Sequence, residues 1–497
     1  MRTINAIYFS LLLFGTMSVH AQTFDATVVD AKTLEPIPFA TVSTGEHQGL
    51  IANEEGAFSF DKRAIAHPED SVYVSSMGYE KVGFIVLREA DTVIALAPKT
   101  FELSQVFLSN KNLDAEEIIE RVKEGLSENY KIGLSKKKVF FRQSDRNRMQ
   151  KVGLEYKKST IPELNKELID SIARAIPRNS WYYREVVGDF YGDYHQQKFY
   201  VDKAAELYDK EKDVSMDGLA EDLERIFKEN VKSNSYLKIK SGWFGTKMQL
   251  DSAAVANGEE EGMVQVEVND TDEQVFQNHI KDRISELYEE LFFMEDTKLD
   301  FLTKSNRYKF YKKNFTVIDD QVVYVLDFEP KGSKDFKGTL YIHTENYAIV
   351  RADFENVRPL RKFGLLGIKY RENLYKGKMI FAKDPLGGYG PRYLELETGT
   401  FFGLDRPLKV IEKNKHVKGR RKQNELSLGL DIETTQYFKY EMVVFDSNNI
   451  TQSDFDAVVE NEKIKATYLS AYDPNFWEGY TIMEPNAAIQ TFKAAEK

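Results

Sequence analysis

Residues able to do chemistry are plentiful in this chain, yet their spacing assembles none of the familiar catalytic sets. His195, His279, His343 and His416 stand singly, without the paired spacing that a zinc site needs. Neither a His-Glu-x-x-His pattern, a Gly-x-Ser-x-Gly elbow nor a Gly-rich phosphate loop occurs. Gly387-Gly388-Tyr389-Gly390 lies between Pro385 and Pro391 and reads as a turn, not as the approach to a helix. With no cysteine there is no thiolate ligand, no thiol nucleophile, no disulfide and no lipid-anchoring cysteine. Aspartate and glutamate total 79, so no two of them stand out as a glycosidase pair. The sequence therefore assigns no catalytic, cofactor-binding or metal-binding residue.

Three clusters remain. Trp181-Tyr182-Tyr183, Phe190-Tyr191, Tyr194 and Phe199-Tyr200 alternate as strands do, and such rings either pair across a sheet or make a sugar platform. Lys131 to Lys151 and the stretch His416 to Lys422 are basic and could meet anionic lipid or polysaccharide, or be solvated strand and loop faces. Asn257 to Gly262 is acidic but lacks the alternating ligands of a calcium loop.

The elements that must position these groups fall into a multi-domain, β-rich α+β order. Residues 1–21 have one cation, an apolar run too short to span a bilayer, and Val19 and Ala21 at the places a signal peptidase reads, so cleavage before Gln22 is expected. Short β-branched runs bounded by Gly, Pro, Asn and Asp fill residues 22–107 and predict an all-β sandwich of about seven strands. A mixed α/β region, 113–299, follows. Asp114 and Glu117 form a capping-box pair opening a helix to Asn129, and further amphipathic helices are expected over Thr160–Ile176, Asp217–Val231 and Asp272–Phe293. From Asp300 to residue 447 long alternating strands predict an antiparallel β-meander, wide enough to curl around the earlier helices. Residues 448–497 carry Phe476, Trp477 and Ile482 and are expected to dock on the sheet.

Two resemblances follow from particular residues. Asp30, Glu35-Pro36-Ile37-Pro38-Phe39-Ala40, Gly49, Asn53-Glu54-Glu55-Gly56-Ala57-Phe58 and Ser75-Ser76-Met77-Gly78-Tyr79 resemble the carboxypeptidase-regulatory-like, prealbumin (transthyretin-type) domain of exported Bacteroidetes proteins. That resemblance implies a non-catalytic sandwich in which Gly56 and Gly78 serve turns. The stretch Phe336 to Val350 is similar to a strand pair of lipoprotein-carrier-like half-barrels, which implies a curved sheet able to hold a ligand.

The formal charge of −11, more negative still once Arg2 leaves with the leader, argues against a nucleic-acid binder. No second apolar run reaches spanning length, and the chain lacks the terminal aromatic strand of an outer-membrane barrel. The expectation is an exported protein, periplasmic or peripheral to the outer membrane, without cofactor. It would bind an envelope protein, a lipid or a glycan through the meander, with an envelope hydrolase of peptide or glycan as the alternative. By alternation the expected ligand-facing residues are Leu326, Phe328, Val350 and Phe354.

Overall fold

The computed structural model describes residues 23–45, 48–65, 71–86, 93–99, 113–131, 133–210, 222–232, 235–242, 244–249, 272–318, 321–385, 387–414, 421–461 and 463–494. The expected leader, the acidic stretch 257–262 and most of the basic stretch 416–422 lie outside them. The chain forms two compact units, residues 1–99 with 474–484, and residues 100–473 with 485–497.

The first unit holds β1 (Thr23–Asp30), β2 (Thr41–Gly45), β3 (Gln48–Ile51), β4 (Ala57–Asp61), β5 (Ser71–Ser75), β6 (Val82–Ile85) and β7 (Val93–Leu96). They make a three-stranded sheet, β4-β1-β7, and a four-stranded sheet, β3-β2-β5-β6. Phe24 packs its ring 5.4 Å from both Phe60 and Phe84, and Val28, Val42, Val72 and Val74 are fully buried. The turn before β4 is dictated locally. Asn53 Oδ1 accepts from the amides of Glu55 and Ala57, each at 2.9 Å, and Gly56 takes φ +73°. A Cβ at Gly56 would stand 2.6 Å from the Val28 carbonyl oxygen, so only glycine fits. Gly78 likewise takes φ +82°, beside Tyr79, whose hydroxyl donates to Asp30 at 3.0 Å.

The second unit begins with α1 (Ala115–Asn129), capped as its sequence requires: Asp114 Oδ1 accepts from the Glu117 amide at 2.8 Å and Glu117 Oε2 from the Asp114 amide at 2.9 Å. Then come β8 (Ser135–Ser159), α2 (Lys166–Ala175), β9 (Asn179–Gly192), β10 (Gln197–Tyr208), α3 (222–230), β11 (Ser235–Ser241), β12 (Phe244–Gln249) and α4 (Asp272–Glu289). The remaining strands are β13 (Tyr308–Ile318), β14 (Gln321–Pro330), β15 (Phe336–His343), β16 (Ile349–Asn356), β17 (Lys362–Leu365), β18 (Ile368–Lys383), β19 (Tyr389–Asn414) and β20 (Lys422–Asn449). Short α5 (Gln452–Ala457), β21 (Thr467–Leu469) and α6 (Ala487–Gln490) close the chain. α2 starts later than its sequence suggests. Asn165 caps it, while Thr160 exchanges hydrogen bonds with the Glu425 backbone and prolongs the β8–β20 ladder.

All fourteen strands described in this unit belong to one open sheet, running β13-β14-β15-β16-β18-β19-β20-β8-β9-β10-β21, with β11, β12 and β17 off that path. Residue 300 is thus no boundary within it, because β20 pairs with β8 over nearly its whole length and draws the region before 300 into the meander. Pairing partners 267 to 314 residues apart leave no local trace, which is why the sequence reads as two regions. One face of the sheet is concave. α4 and the segment after it touch Phe190 on β9 through Tyr288 (5.4 Å), Phe381 on β18 through Phe292 (5.5 Å) and Phe328 on β14 through Phe301 (4.6 Å). Strands so far apart in the sheet reach one short segment only if the sheet curls around it. Among the described residues no helix is long and apolar enough to cross a membrane.

Candidate functional site

Register, more than any motif, builds the site. Directly paired residues form one row across the concave face: Phe310, Phe328, Gly338, Phe354, Gly377, Leu396, Tyr440, Gln143, Arg184 and Glu206, on β13, β14, β15, β16, β18, β19, β20, β8, β9 and β10. Because side chains two apart share a face, the row beside it carries Thr398, Phe438, Asp145, Tyr182 and Tyr208. On the other side lies a dry row, Leu326, Leu340, Ala352, Met379, Leu394, Met442, Phe141, Val186 and Ala204, every member at most 5 % exposed. The concave face thus passes from packed core to a polar and aromatic floor within two residues of strand.

α4 roofs that floor. Its Phe276, Ile280, Ile284, Leu287 and Tyr288 bury at helical spacing, while His279, Arg283 and Glu286, with Glu290 just beyond the helix, form a second stripe one step around. Between this stripe and the floor lies a cavity of about 1180 Å³, also lined by Lys298, Tyr375, Lys465 and Ala466.

Its charges are organised in pairs. Arg184 Nε donates to Glu206 Oε1 at 2.8 Å, and its Nη2 donates to the Tyr182 hydroxyl at 2.7 Å. The same guanidinium lies 5.1 Å from the ring centres of Tyr182 and Phe276, tying floor to roof. Arg283 binds both oxygens of Glu286 and sits 5.8 Å from the Tyr440 ring, while its Nε is buried without a hydrogen-bond partner. The Gln143 amide nitrogen donates to both Asp145 oxygens, at 3.0 and 2.8 Å, and its oxygen lies 3.2 Å from His279 Nε2. Burial lifts the Asp145 carboxyl to about 6, against the pull of Gln143, Arg184 and Arg283. Burial, aided by Arg184 and Arg283, pushes His279 down to about 4. Near neutral pH His279 is therefore an uncharged hydrogen-bonding group.

The four expected ligand residues lie elsewhere. Leu326, Phe328, Val350 and Phe354 are 0, 1, 7 and 4 % exposed and belong to the main core. Phe328 and Phe354 lie over Gly338 and Gly377, their neighbours in the row, where a Cβ would come within 2.8 and 2.6 Å of the rings. Phe301 stacks on Phe328, and Phe336 and Tyr375 flank Phe354 at 6.4 and 6.2 Å. Alternation identified the inward face correctly but not which part of it is covered. The aromatic cluster of β9 and β10 forms cross-strand pairs, Tyr182 with Tyr208 at 5.3 Å and Phe190 with Phe199 at 6.4 Å. Of His195, His279 and His343, the three among the described residues, His279 alone enters the cavity. His343 is buried against Gln321, and His195 lies in the turn between β9 and β10. One signal for the site was present, the His279, Arg283, Glu286, Glu290 stripe at intervals of four, three and four.

No family model matches the chain, and no curated protein matches it. Solved structures give distant alignments. An outer-membrane lipoprotein-sorting protein domain from Vibrio parahaemolyticus aligns at 10 % identity over 69 % of this chain and 97 % of that one, with TM-score 0.20. A LolA-superfamily protein from Nitrosomonas europaea aligns at 11 % over 69 % and 97 %, with TM-score 0.16. The Pseudomonas aeruginosa MucA/MucB complex aligns at 8 % over 64 % and 93 %, with TM-score 0.15. Similarity this low leaves the site to be read from its own geometry.

Proposed function

We propose that this chain is a non-catalytic, exported cell-envelope protein, periplasmic or peripheral to the outer membrane, that holds an extended ligand or a partner's segment beneath α4. The observation that carries the reading is the cavity itself, whose 1180 Å³ exceeds an ordinary small-molecule pocket of roughly 300–1000 Å³. Its lining interleaves aromatic rings with paired charges on both floor and roof. An acyl chain would meet charge wherever it lay. A peptide or glycan segment, with flat apolar faces and many donors and acceptors, finds partners for both. Export rests on the expected leader, Val19 and Ala21 standing where a signal peptidase reads; the N-terminal sandwich resembles a module that precedes many unrelated domains and does not by itself choose between binding and catalysis.

The lining contains neither serine nor cysteine, and Glu206 and Glu286 are engaged by arginines. One observation favours a hydrolase of peptide or glycan instead: a carboxyl held near 6 in a cleft suits proton transfer. A native mass spectrum of protein taken from its own envelope separates the two. The binding reading expects a discrete bound mass, retained in Asp145→Asn, whereas a hydrolase would carry no bound mass as wild type and trap uncleaved substrate in that variant.

A further inference from the structure

We propose that the hairpin of β17 and the start of β18 docks the protein on an anionic lipid surface. From 357 to 371 the chain reads ValArgProLeuArgLysPheGlyLeuLeuGlyIleLysTyrArg, with five cations and no acid in a protein whose net charge is −11. Among the described residues β17 pairs only with β18, and its tip turns through Leu366 at φ +51° and Gly367 at φ +82°. Phe363, Leu365 and Leu366 are 49, 57 and 58 % exposed. A sheet edge defended against aggregation carries charge outward and hides its apolar groups; this one leaves three large apolar side chains in water.

Register sorts the hairpin into two faces. Phe363 pairs with Tyr370 and that with Phe402, itself 38 % exposed; Leu365 pairs with Ile368 and that with Leu404. These two adjacent rows share a face and contain no charge. Lys362, Lys369 and Arg371 point to the other face, where Lys369 meets Glu433 at 3.3 Å while Lys362 and Arg371 have no carboxylate partner among the described residues. Arg361 reaches Glu372 only at 3.7 Å and is 75 % exposed. An apolar face with Arg361 at its edge and cations behind it suits a bilayer interface, with leucine and phenylalanine entering the acyl boundary and the long exposed basic side chains, Arg361 and Lys362, reaching lipid phosphates.

The position gives docking a purpose. Thr398 and Thr400 on β19 line the cavity, and Phe402 and Leu404 continue the same face of the same strand. A membrane engaged by this hairpin therefore lies next along the strand to the cavity's rim, where a ligand could be taken from or given to it. The docking claim itself stands whether or not the cavity is filled.

The test is sedimentation of the whole chain, without its leader, with vesicles of phosphatidylcholine containing none or a third phosphatidylglycerol. Binding should need the anionic lipid and weaken with salt. Leu365→Asp with Leu366→Asp should lower it by on the order of tenfold or more, and Lys362→Gln by roughly fivefold. Melting temperatures of both variants should match wild type, since these side chains are exposed. Equal binding to both vesicle types, or unchanged binding by the double aspartate variant, overturns the proposal. So does a dimer in sedimentation velocity that the double variant dissolves while wild type ignores vesicles, because the face would then be an interface between copies.

Discussion

The two ends of one row of paired residues behave as different materials. From Phe310 to Leu396 the row reads Phe310, Phe328, Gly338, Phe354, Gly377, Leu396, and Phe301, Tyr308 and Phe336 pack against its rings. From Tyr440 to Glu206 it carries a phenol, an amide, a guanidinium and a carboxylate under the polar stripe of α4. Backbone, register and face are continuous. The difference lies in what covers each end, and it teaches that a curved sheet becomes a core or a binding floor according to the side chains of its roof. In the filled half each glycine makes room for the ring on the next strand; in the open half every residue has a side chain that ends in a polar group.

The largest expected contrast comes from truncation in the filled half. Phe354→Ala should cost about 3–5 kcal/mol in denaturant unfolding, because it removes a ring packed by Phe336 and Tyr375 and leaves a hole over Gly377. A loss below about 1 kcal/mol would mean that this end is open too. Next, Gly377→Ala should destabilise by about 1–3 kcal/mol, since its Cβ would stand 2.3 Å from the Glu395 carbonyl oxygen and 2.6 Å from the Phe354 ring. A neutral result would show that the Phe–Gly alternation is incidental.

The open half should announce itself through pH. Asp145, raised to about 6 from 3.8, contributes stability that is complete below 3.8 and lost as pH rises through 6. His279, lowered to about 4 from 6.5, contributes the opposite: stability present above 6.5 and lost as pH falls through 4. Over pH 4 to 6 the two oppose each other in the native protein. Asp145→Asn should therefore unmask a loss of stability on acidification, and His279→Gln a gain. Each should be about 1–2 kcal/mol after allowance for partial exposure. Chemical denaturation at pH 4, 5, 6 and 7 measures both slopes, and two variants with the same slope as wild type would show these groups to be solvated.

What the sequence made legible was local. The capping box of Asp114 and Glu117 and the alternation of β13 to β16 depend on neighbours within a few residues, and each stands where its residues indicate; Gly56 and Gly78, which the first resemblance implied as turn residues, take positive φ. The cavity depends on Tyr440 pairing with Gln143 and Gln143 with Arg184, across gaps of about 300 and 40 residues that no periodicity reports. α4 shows the same limit within one element. Its apolar stripe was readable as core-facing, but the meaning of the polar stripe beside it depended on whether that side met water or a second layer of protein. Alternation puts Leu326, Phe328, Val350 and Phe354 on the inward face; that they fall in its covered part follows from the same distant pairings.

If the open half holds a ligand, filling that half with a side chain should expel it. Thr398, on the cavity floor and only partly buried, can be replaced by tryptophan to occupy the space without touching the Phe–Gly half. Native mass spectra of wild type and Thr398→Trp, both recovered from the same envelope, should show a bound mass on the first and the bare polypeptide for the second, at equal melting temperature. A bound mass carried equally by both, or by neither, would contradict the assignment of this cavity as the binding site.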